Sequence, residues 1–513
     1  MQQLHTPLEA ALWLQSQVTG TLCTDSRKLR PGDGFLAWPG AAVDAREHVA
    51  GALAAGAVAC LVEQVGVDQF AFDDPRVATY SGLKAASGVL ASHYFGDPSQ
   101  ALRVLAVTGT NGKTSTAWWL AQTLSNLQQV ALIPCGVVGT LGIGVPPNVI
   151  STGLTTPDPV ALQAAFANFS ATGMQACAIE ASSIGIEEHR LDGTHIHTAI
   201  LTNLTQDHLD YHGTMEAYWQ AKTKLFAWPG LRAAVINVDD GYGADLAHRL
   251  LKDQAAMTDA AALDLWTVSM LAGSGNGARL QAQAIDYSVG GMRFDIVEGT
   301  QRLPLATGLI GEYNVANLLG VVAAMRTLGV PLDAAVQACS ALTPVPGRME
   351  CVSQTGHPLV AVDYAHTPDA LAKALDALKP VAAQRGGKLW CVFGCGGDRD
   401  TSKRPLMGAV AAGHADQVMV TSDNPRSEVP DAIISQILLG LAGVPAVMVE
   451  PDRARAIAQA LQQAAANDVV LVAGKGHEDY QEIAGQRLPF SDMAQVRQAL
   501  AQRRPADGHE VNA

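Results

Sequence analysis

At 513 residues the chain is long enough for about three domains of ordinary size. Its net charge of −14 excludes wholesale nucleic-acid binding, because phosphate backbones are held by basic surfaces, and 48% hydrophobic with 16% charged residues excludes an unstructured chain. The opening Met1-Gln-Gln-Leu-His5 is not a basic segment leading into an apolar one, and no apolar run is long enough to span a bilayer, so a cytoplasmic protein without membrane insertion is expected.

Residues 1 to about 90 alternate short apolar runs with Ala-rich helical stretches, which predicts a small α/β domain. Thr24-Asp-Ser-Arg27 and Asp44-Ala-Arg46 offer hydroxyl and guanidinium groups that could hold a phosphorylated or uridylyl ligand; solvated loops are the plain alternative. A helix ending near Gly96 leads into a Pro-containing linker. Val104-Leu-Ala-Val-Thr-Gly-Thr-Asn-Gly-Lys-Thr-Ser-Thr116 then reads as strand, phosphate-binding loop and helix. Gly109 and Gly112 let backbone N–H groups approach an anion, Lys113 can reach outer phosphates, and Thr114 offers a hydroxyl to Mg²⁺. Val107 stands where the general motif has its first Gly, so the loop is a variant form.

Glu180 closes an apolar run, a position suited to a Mg²⁺ ligand, with a helix-capping acid as the other reading. Asn203-Leu-Thr-Gln-Asp-His-Leu-Asp-Tyr-His-Gly213 gathers two His and two Asp, either a metal and substrate cluster or a polar turn. Lys222 and Lys224 lie two apart on a helical stretch and must point different ways, and an exposed helical lysine is the ordinary expectation for either. Residues 248 to 300 read as an irregular β-rich excursion turning at 273–277. Asn314 and Asn317 share one face of an Ala-rich helix, where paired amides could read a base edge or cap the helix.

Pro344-Val-Pro-Gly-Arg348 is a stiff hinge, followed by strands near 359–364, 389–393, 417–421 and 469–473 alternating with helices, which predicts a doubly wound sheet. Polar clusters close these four runs: 363–366, 394–400, 422–426 and 474–478. Arg399 and Arg426 favour carboxylate recognition, while Asp423 and Glu478 favour an amine. Cys391 and Cys395 lack zinc-spaced partners, and the eight cysteines in apolar contexts predict buried thiols.

Taken together, Thr108-Gly-Thr-Asn-Gly-Lys-Thr-Ser115, Glu180-Ala-Ser-Ser183, Thr202-Asn-Leu-Thr-Gln-Asp-His-Leu-Asp210, Ala221-Lys222, Gly311-Glu-Tyr-Asn314 and Pro346-Gly-Arg348 resemble the Mur ligase family, ATP-dependent amide-bond ligases of peptidoglycan synthesis. The resemblance implies three α/β domains: 1–95 for the UDP-sugar, 96–342 as a central ATP-binding domain with a mostly parallel sheet, and 343–513 as a Rossmann-like amino-acid-binding domain. Thr155-Thr-Pro-Asp158, Asp363-Tyr-Ala-His-Thr-Pro-Asp369, Asp423-Asn-Pro-Arg426 and Gly474-Lys-Gly-His-Glu478 are similar to the branch that joins meso-diaminopimelate to the D-glutamyl γ-carboxylate of UDP-N-acetylmuramoyl-L-alanyl-D-glutamate through an acyl phosphate. The same reaction with L-lysine is the alternative, and a non-catalytic nucleotide-binding module is another class of reading.

By the same resemblance ATP is held by Gly109, Thr110, Asn111, Gly112, Lys113, Thr114, Ser115, Asn314 and Arg348. Mg²⁺ falls to Thr114, Glu180, His208 and a carbamylated Lys222, and Lys113, Lys222, His208 and Arg348 are the catalytic set. Thr24 and Ser26, with the loop 41–43, lie at the uridine end, and Thr155, Thr156, Ser182, Glu188 and Arg190 along the muramoyl-peptide. Arg399, Asp423, Asn424, Pro425, Arg426, Gly474 and Glu478 hold diaminopimelate. Ile184, Leu154 and Glu188 depart from the residues usual in the family at their positions, as does Ala45 between Asp44 and Arg46. A monomer serving cell-wall biogenesis, and with it cell shape and division, is the expectation.

Overall fold

The computed structural model describes every residue except 41–42, 129, 257–261, 272–276, 289–290, 445–446 and 504–513. Near the amino terminus five short strands form a wholly parallel sheet in the order Gln2–Leu4, Val77–Tyr80, Ala59–Glu63, Gly34–Ala37, Leu22–Cys23. Helices cover both of its faces, as parallel sheets require. Pro7–Gln17 and Leu83–Tyr94 close one side and Val49–Ala54 the other. Val160, from helix Pro159–Ala171 of the central unit, completes the first of these cores and so ties the small sheet to the central one.

The central sheet has eleven strands, and six successive neighbour pairings from Leu280–Ser288 to Cys135–Gly139 are parallel. Strand Arg103–Thr108 lies at its middle, between Ile196–Leu201 and Ala176–Glu180. Glu180 pairs with Val107 and Leu201 with Thr108, so three strands end at one level and deliver their loops to one place. Strands of this kind are apolar throughout because both faces are covered, and Val104, Leu105, Ala106 and Val107 are all fully buried.

The 248 to 300 stretch differs from its sequence reading. Helix Gly241–Ala256 occupies its first part, and strands Asp264–Ser269, Leu280–Ser288, Gly291–Glu298 and Gln301–Thr307 extend the central sheet, the last two pairings antiparallel. The helix buries Leu246 and Ala247 against the sheet, a tertiary contact that an Ala- and charge-rich segment does not announce. Most of the expected turn at 273–277 lies outside the described residues.

A six-stranded sheet completes the chain in the order Glu350–Val352, Leu359–Asp363, Val469–Ala473, Leu389–Phe393, Gln417–Val420, Met448–Val449, with only its first pair antiparallel. The order reverses about Val469–Ala473, so the carboxyl ends of the middle strands border a crevice. Behind that crevice lies an ion pair that sequence spacing does not reveal. Arg453 and Asp492, both fully buried, are joined by two bonds of 2.7 Å, and the guanidinium also donates to the carbonyls of Ser422 and Ala473 at 3.2 and 2.9 Å.

Removing one partner of such a pair leaves an unpaired buried charge. Asp492→Ala is therefore expected to weaken hydrogen-exchange protection of strands Gln417–Val420 and Val469–Ala473 by about 3–5 kcal/mol, while a matched Arg453→Met/Asp492→Leu exchange recovers most of it. Equal protection in Asp492→Ala and the native chain would contradict the clamp.

Candidate active site

The loop after strand Arg103–Thr108 is shaped by two glycines. Gly109 and Gly112 have φ of 142° and 87°, and a Cβ at either would strike Thr202 Oγ1 or Asn317 Oδ1 respectively. The loop is bound to the neighbouring strand end: Thr110 N–H donates to the Asn203 carbonyl at 2.9 Å, and Asn111 N–H to Asn203 Oδ1 at 3.0 Å. Helix Lys113–Ser125 begins directly afterwards, so its first-turn N–H groups and positive dipole end lie at a cavity between the sheets. Lys113 Nζ donates to the carbonyls of Gly109 and Thr110 at 3.0 and 2.9 Å. Burial holds its pKa below the ordinary lysine value.

Glu180 is almost wholly buried. Its Oε2 accepts from the Thr114 hydroxyl at 2.9 Å, and its Oε1 accepts from Thr140 N–H at 2.7 Å. The helix-capping alternative for Glu180 is excluded, because Ser182 caps helix Ser183–Glu187 through Gly185 N–H. Arg348 reaches in from the hinge, donating to Thr114 Oγ1 at 3.1 Å while its guanidinium lies 4.4 Å from the Tyr364 ring centre.

Lys222 reverses the expectation of an exposed lysine. It is 1% exposed, its Nζ donates to the Gly109 carbonyl at 2.8 Å, and it sits 4.3 Å from the Tyr218 ring centre. Burial, and then the charge of Lys113, push its pKa well down. Lys224 does point the other way, to solvent, where it pairs with Glu187 at 2.7 Å. In the 203–213 loop the polar residues divide their work. His208, at a positive φ of 52°, borders the cavity beside Asp207, with 3.6 Å between His208 Nε2 and Asp207 Oδ2. His212 instead meets Ser183 Oγ at 2.9 Å, and the Tyr211 hydroxyl donates to Glu188 at 2.6 Å.

The phosphate loop, Glu180, His208 and Arg348 line one cavity of about 570 Å³ at the seam between the central and C-terminal sheets. That volume suits a nucleotide-sized ligand. Asn314 and Asn317 meet there as the spacing anticipates, Asn317 Nδ2 donating to Asn314 Oδ1 at 3.0 Å and Asn314 Nδ2 to the Ile310 carbonyl at 2.7 Å. The pair is thus engaged within its own helix start. Across the seam, Asp369 accepts from Asn111 Nδ2 at 3.0 Å and pairs with Lys373 at 3.0 Å. Asp369 enters the sequence reading only as the end of the 363–369 motif, with no role given to it, and Lys373 not at all, since an Asp in the first turn of a helix is ordinary.

A second cluster stands at the carboxyl edge of the C-terminal sheet. Asp423 and Asn424 are buried, and Gly474, at φ of 119°, has no room for a side chain beside the Asp423 carboxylate. Arg426, also at positive φ, donates to the Gly397 carbonyl at 2.6 Å, and Arg399 flanks the same glycine loop from an exposed position. Pro425 is buried with its carbonyl against Gly397. Buried Arg404 fixes these loops from behind, through Glu428 at 2.7 and 2.8 Å and the Gly396 carbonyl at 3.1 Å. Arg404 and Arg453 escape sequence reading because each lies inside a helix where a solvated arginine is the default.

The remaining residues lie along the Glu180 strand end and the small sheet. Thr155 Oγ1 is 3.0 Å from Thr140 Oγ1, and Thr156 is bonded to the Glu180 carbonyl at 2.7 Å and to Ser182. Arg190 donates to the Thr156 carbonyl at 2.9 Å. Glu188 accepts from Lys84 on the small sheet's helix at 2.5 Å, linking the two units. Thr24 and Ser26 lie together in one part-exposed turn, while Arg46 is buried against Asp44 and the carbonyls of Glu63 and Val65 and so does not serve as a free guanidinium. Of the loop 41–43, residues 41–42 lie outside the described residues. Among the described residues no three His, Cys, Asp or Glu side chains cluster as a metal cage, and the described cysteines are free thiols, most of them buried.

Known proteins share this arrangement. The Mur ligase middle domain matches residues 107–325, and the Mur ligase, glutamate ligase domain matches residues 347–476. A UDP-N-acetylmuramoyl-L-alanyl-D-glutamate--2,6-diaminopimelate ligase of Acidovorax sp. (strain JS42) is 62% identical over 509 residues, covering 98% of this chain and 99% of its own. Its counterpart in Pseudomonas aeruginosa is 46% identical, with 94% of each chain covered. A solved structure of a ligase of the same name superposes with a TM-score of 0.62 at 38% identity over 94% of each chain. MurF ligase from Thermotoga maritima in complex with ADP shares the fold, with a TM-score of 0.65 at 20% identity, covering 94% of this chain and 97% of its own.

Two part-buried imidazoles near the seam give the site a pH signature. Burial, reinforced by Lys403, brings His366 down to about 4, and burial with the Arg348 charge brings His477 to about 3. Both stay neutral in the folded chain while the unfolded chain takes up protons below about 6.5. Their contribution to stability is accordingly constant above that value and is lost as pH drops from about 6.5 toward 4. A loss of about 1–2 kcal/mol per histidine by about pH 5 is expected. Thermal midpoints from pH 8 to 5 should decline less in His366→Gln than in the native chain, and parallel curves would refute the assignment.

Proposed function

The chain belongs to the Mur ligase family, and from that membership we propose that it joins meso-diaminopimelate to UDP-N-acetylmuramoyl-L-alanyl-D-glutamate with hydrolysis of ATP, a step of peptidoglycan precursor synthesis. The observation that carries this reading is 62% identity to a ligase of that name along nearly the whole of both chains. The site supports it, since a phosphate loop and an acid at the next strand end share one cavity, with a buried lysine bonded to the loop behind it. ATP supplies the phosphoryl group that activates the D-glutamyl γ-carboxylate as an acyl phosphate, from which the incoming amine displaces phosphate.

The phosphates would rest on the N–H groups of loop 109–115, with Lys113 leaving the Gly109 and Thr110 carbonyls to meet them. Arg348, already at Thr114, would neutralise charge from the opposite wall, and Asn314 would lie toward the base. Mg²⁺ would fall to Thr114, Glu180, His208 and Lys222. This donor set fits the ion, because Mg²⁺ keeps waters and phosphate oxygens and needs only one or two protein carboxylates. Lys222 joins such a set only as a carbamate, and its depressed pKa supplies the neutral amine that carbamate formation requires.

Residues 1–95 are assigned to the UDP-sugar through Thr24 and Ser26, 96–342 to ATP and the muramoyl-peptide through Thr155, Thr156, Ser182, Glu188 and Arg190, and 343–513 to the amino acid. Diaminopimelate would lie among Arg399, Asp423, Asn424, Pro425, Arg426, Gly474 and Glu478, where guanidinium groups suit its distal carboxylate. L-Lysine lacks that carboxylate, which disfavours the alternative. Every part of the site lies on one chain, so a monomer suffices. No helix among the described residues is long and apolar enough to cross a membrane, and ATP with a nucleotide-sugar substrate points to the cytoplasm.

With ATP, Mg²⁺ and the UDP-muramoyl-dipeptide, phosphate release is expected with meso-diaminopimelate and not with L-lysine; equal turnover would overturn the specificity. Lys222→Ala should lose activity by about 10²-fold or more and regain part of it with added short-chain carboxylates. Undiminished activity in that variant would remove Lys222 from the metal set.

A further inference from the structure

The 474–478 turn gives Gly474 and Glu478 to the amino-acid pocket, yet its second residue has no part in that reading. Lys475 is completely buried. Its Nζ donates to Asn424 Oδ1 at 2.9 Å and to Glu478 Oε2 at 2.7 Å, and lies 5.4 Å from the Tyr480 ring centre. A buried ammonium requires such partners, so its position is fixed.

What the lysine fixes in turn is Asn424. A carboxamide oxygen accepts two hydrogen bonds, and both are taken here, one by Lys475 and one by the Glu482 N–H at 3.0 Å. Two donors on one atom leave the amide only one orientation. Its NH₂ group must lie on the other side, where one hydrogen goes to Glu478 Oε2 at 2.8 Å and the second has no acceptor among the described residues. The lysine also offsets the charge of Glu478, whereas Asp423 has no ion-pair partner among the described residues. The pocket thus divides into a donor side, with Asn424 and Arg426, and an acid side at Asp423.

We propose that Lys475 is a positioning residue for amino-acid specificity: by occupying Asn424 Oδ1 and pairing with Glu478 it makes Asn424 present an N–H donor, so that the pocket reads a carboxylate at this point. This rests on the diaminopimelate reading above. Without the ammonium, Asn424 Oδ1 keeps only the Glu482 N–H, so the amide is held less firmly, and Glu478 becomes an unpaired acid that suits an ammonium end such as that of lysine.

The test uses the full chain and two variants. Lys475→Met keeps the length and removes the charge. It should raise KM for meso-diaminopimelate about 10- to 100-fold, narrow discrimination against L-lysine, and leave KM for ATP and for the UDP-muramoyl-dipeptide within about twofold. Asn424→Asp keeps an oxygen on Lys475 and replaces the outward N–H by a second carboxylate oxygen; it should raise KM for diaminopimelate by a similar factor. Should Lys475→Met fail to fold, Asn424→Asp decides the matter. An unchanged or lowered diaminopimelate KM in Asn424→Asp, or equal rises for all three substrates in a folded Lys475→Met, would overturn the proposal. A native chain that releases no phosphate with diaminopimelate removes the substrate reading itself, and this inference with it. A native chain that turns over while the variants keep its KM removes only the role of Lys475.

Discussion

Two ammonium groups share one carbonyl oxygen at the centre of this molecule. Lys113 and Lys222 both donate to Gly109, from 3.0 and 2.8 Å, and among the described residues neither is paired with an acid there. Burial holds both groups below their ordinary pKa, the Arg348 charge adding to it at Lys113 and the Lys113 charge at Lys222. The arrangement persists because the whole sheet enforces it: strand Arg103–Thr108 is central, its neighbours end at the same level, and Gly109 has no side chain to keep the lysines apart. A polyanion is the kind of guest that would relieve such a site, in a chain whose overall charge is −14.

The seam makes this local imbalance a matter for the whole chain. Arg348 at Thr114, Asp369 at Asn111 and Trp119 at the Thr343 carbonyl are each a bond between the phosphate-loop region and residues beyond the central sheet. A ligand that draws Lys113 away from its carbonyls also changes the loop to which Asn111 belongs, and Asn111 carries the contact to helix Pro368–Arg385. The phosphate loop and the C-terminal unit are therefore joined by a few hydrogen bonds, each of modest net strength, through which a ligand on the loop would act on the other unit.

Sequence shows this site unevenly, and for physical reasons. The phosphate loop is legible because a backbone that must turn left-handed beside two other segments demands Gly109 and Gly112 at fixed positions. The polar strand ends of the C-terminal sheet are legible because parallel strands are apolar until they stop. Lys222 is not, since burial of a lysine depends on a carbonyl 113 residues away, and helical spacing around it is that of any surface helix. Arg404, Arg453 and Lys475 are hidden in the same way, each satisfied by partners brought together only by folding. Helix Gly241–Ala256 is equally opaque, its type set by packing on the central sheet and not by propensity.

Activation and selection are built on different sheets, and their charge logic is opposite. Around Gly109 cations stand in excess, and an anion is drawn in by field more than by shape. Around Asn424 most charges are paired, Lys475 with Glu478 and Arg453 with Asp492, with Asp423 left over, so the direction of individual donors counts for more than the overall field. On the proposed reading, such a division would let the first site take a phosphate chain by its charge while the second discriminates against a diamino acid lacking one carboxylate. Discrimination of that kind relies on buried polar groups that are left unpaired when the wrong molecule enters, and this is the condition that a fixed amide beside Arg426 creates.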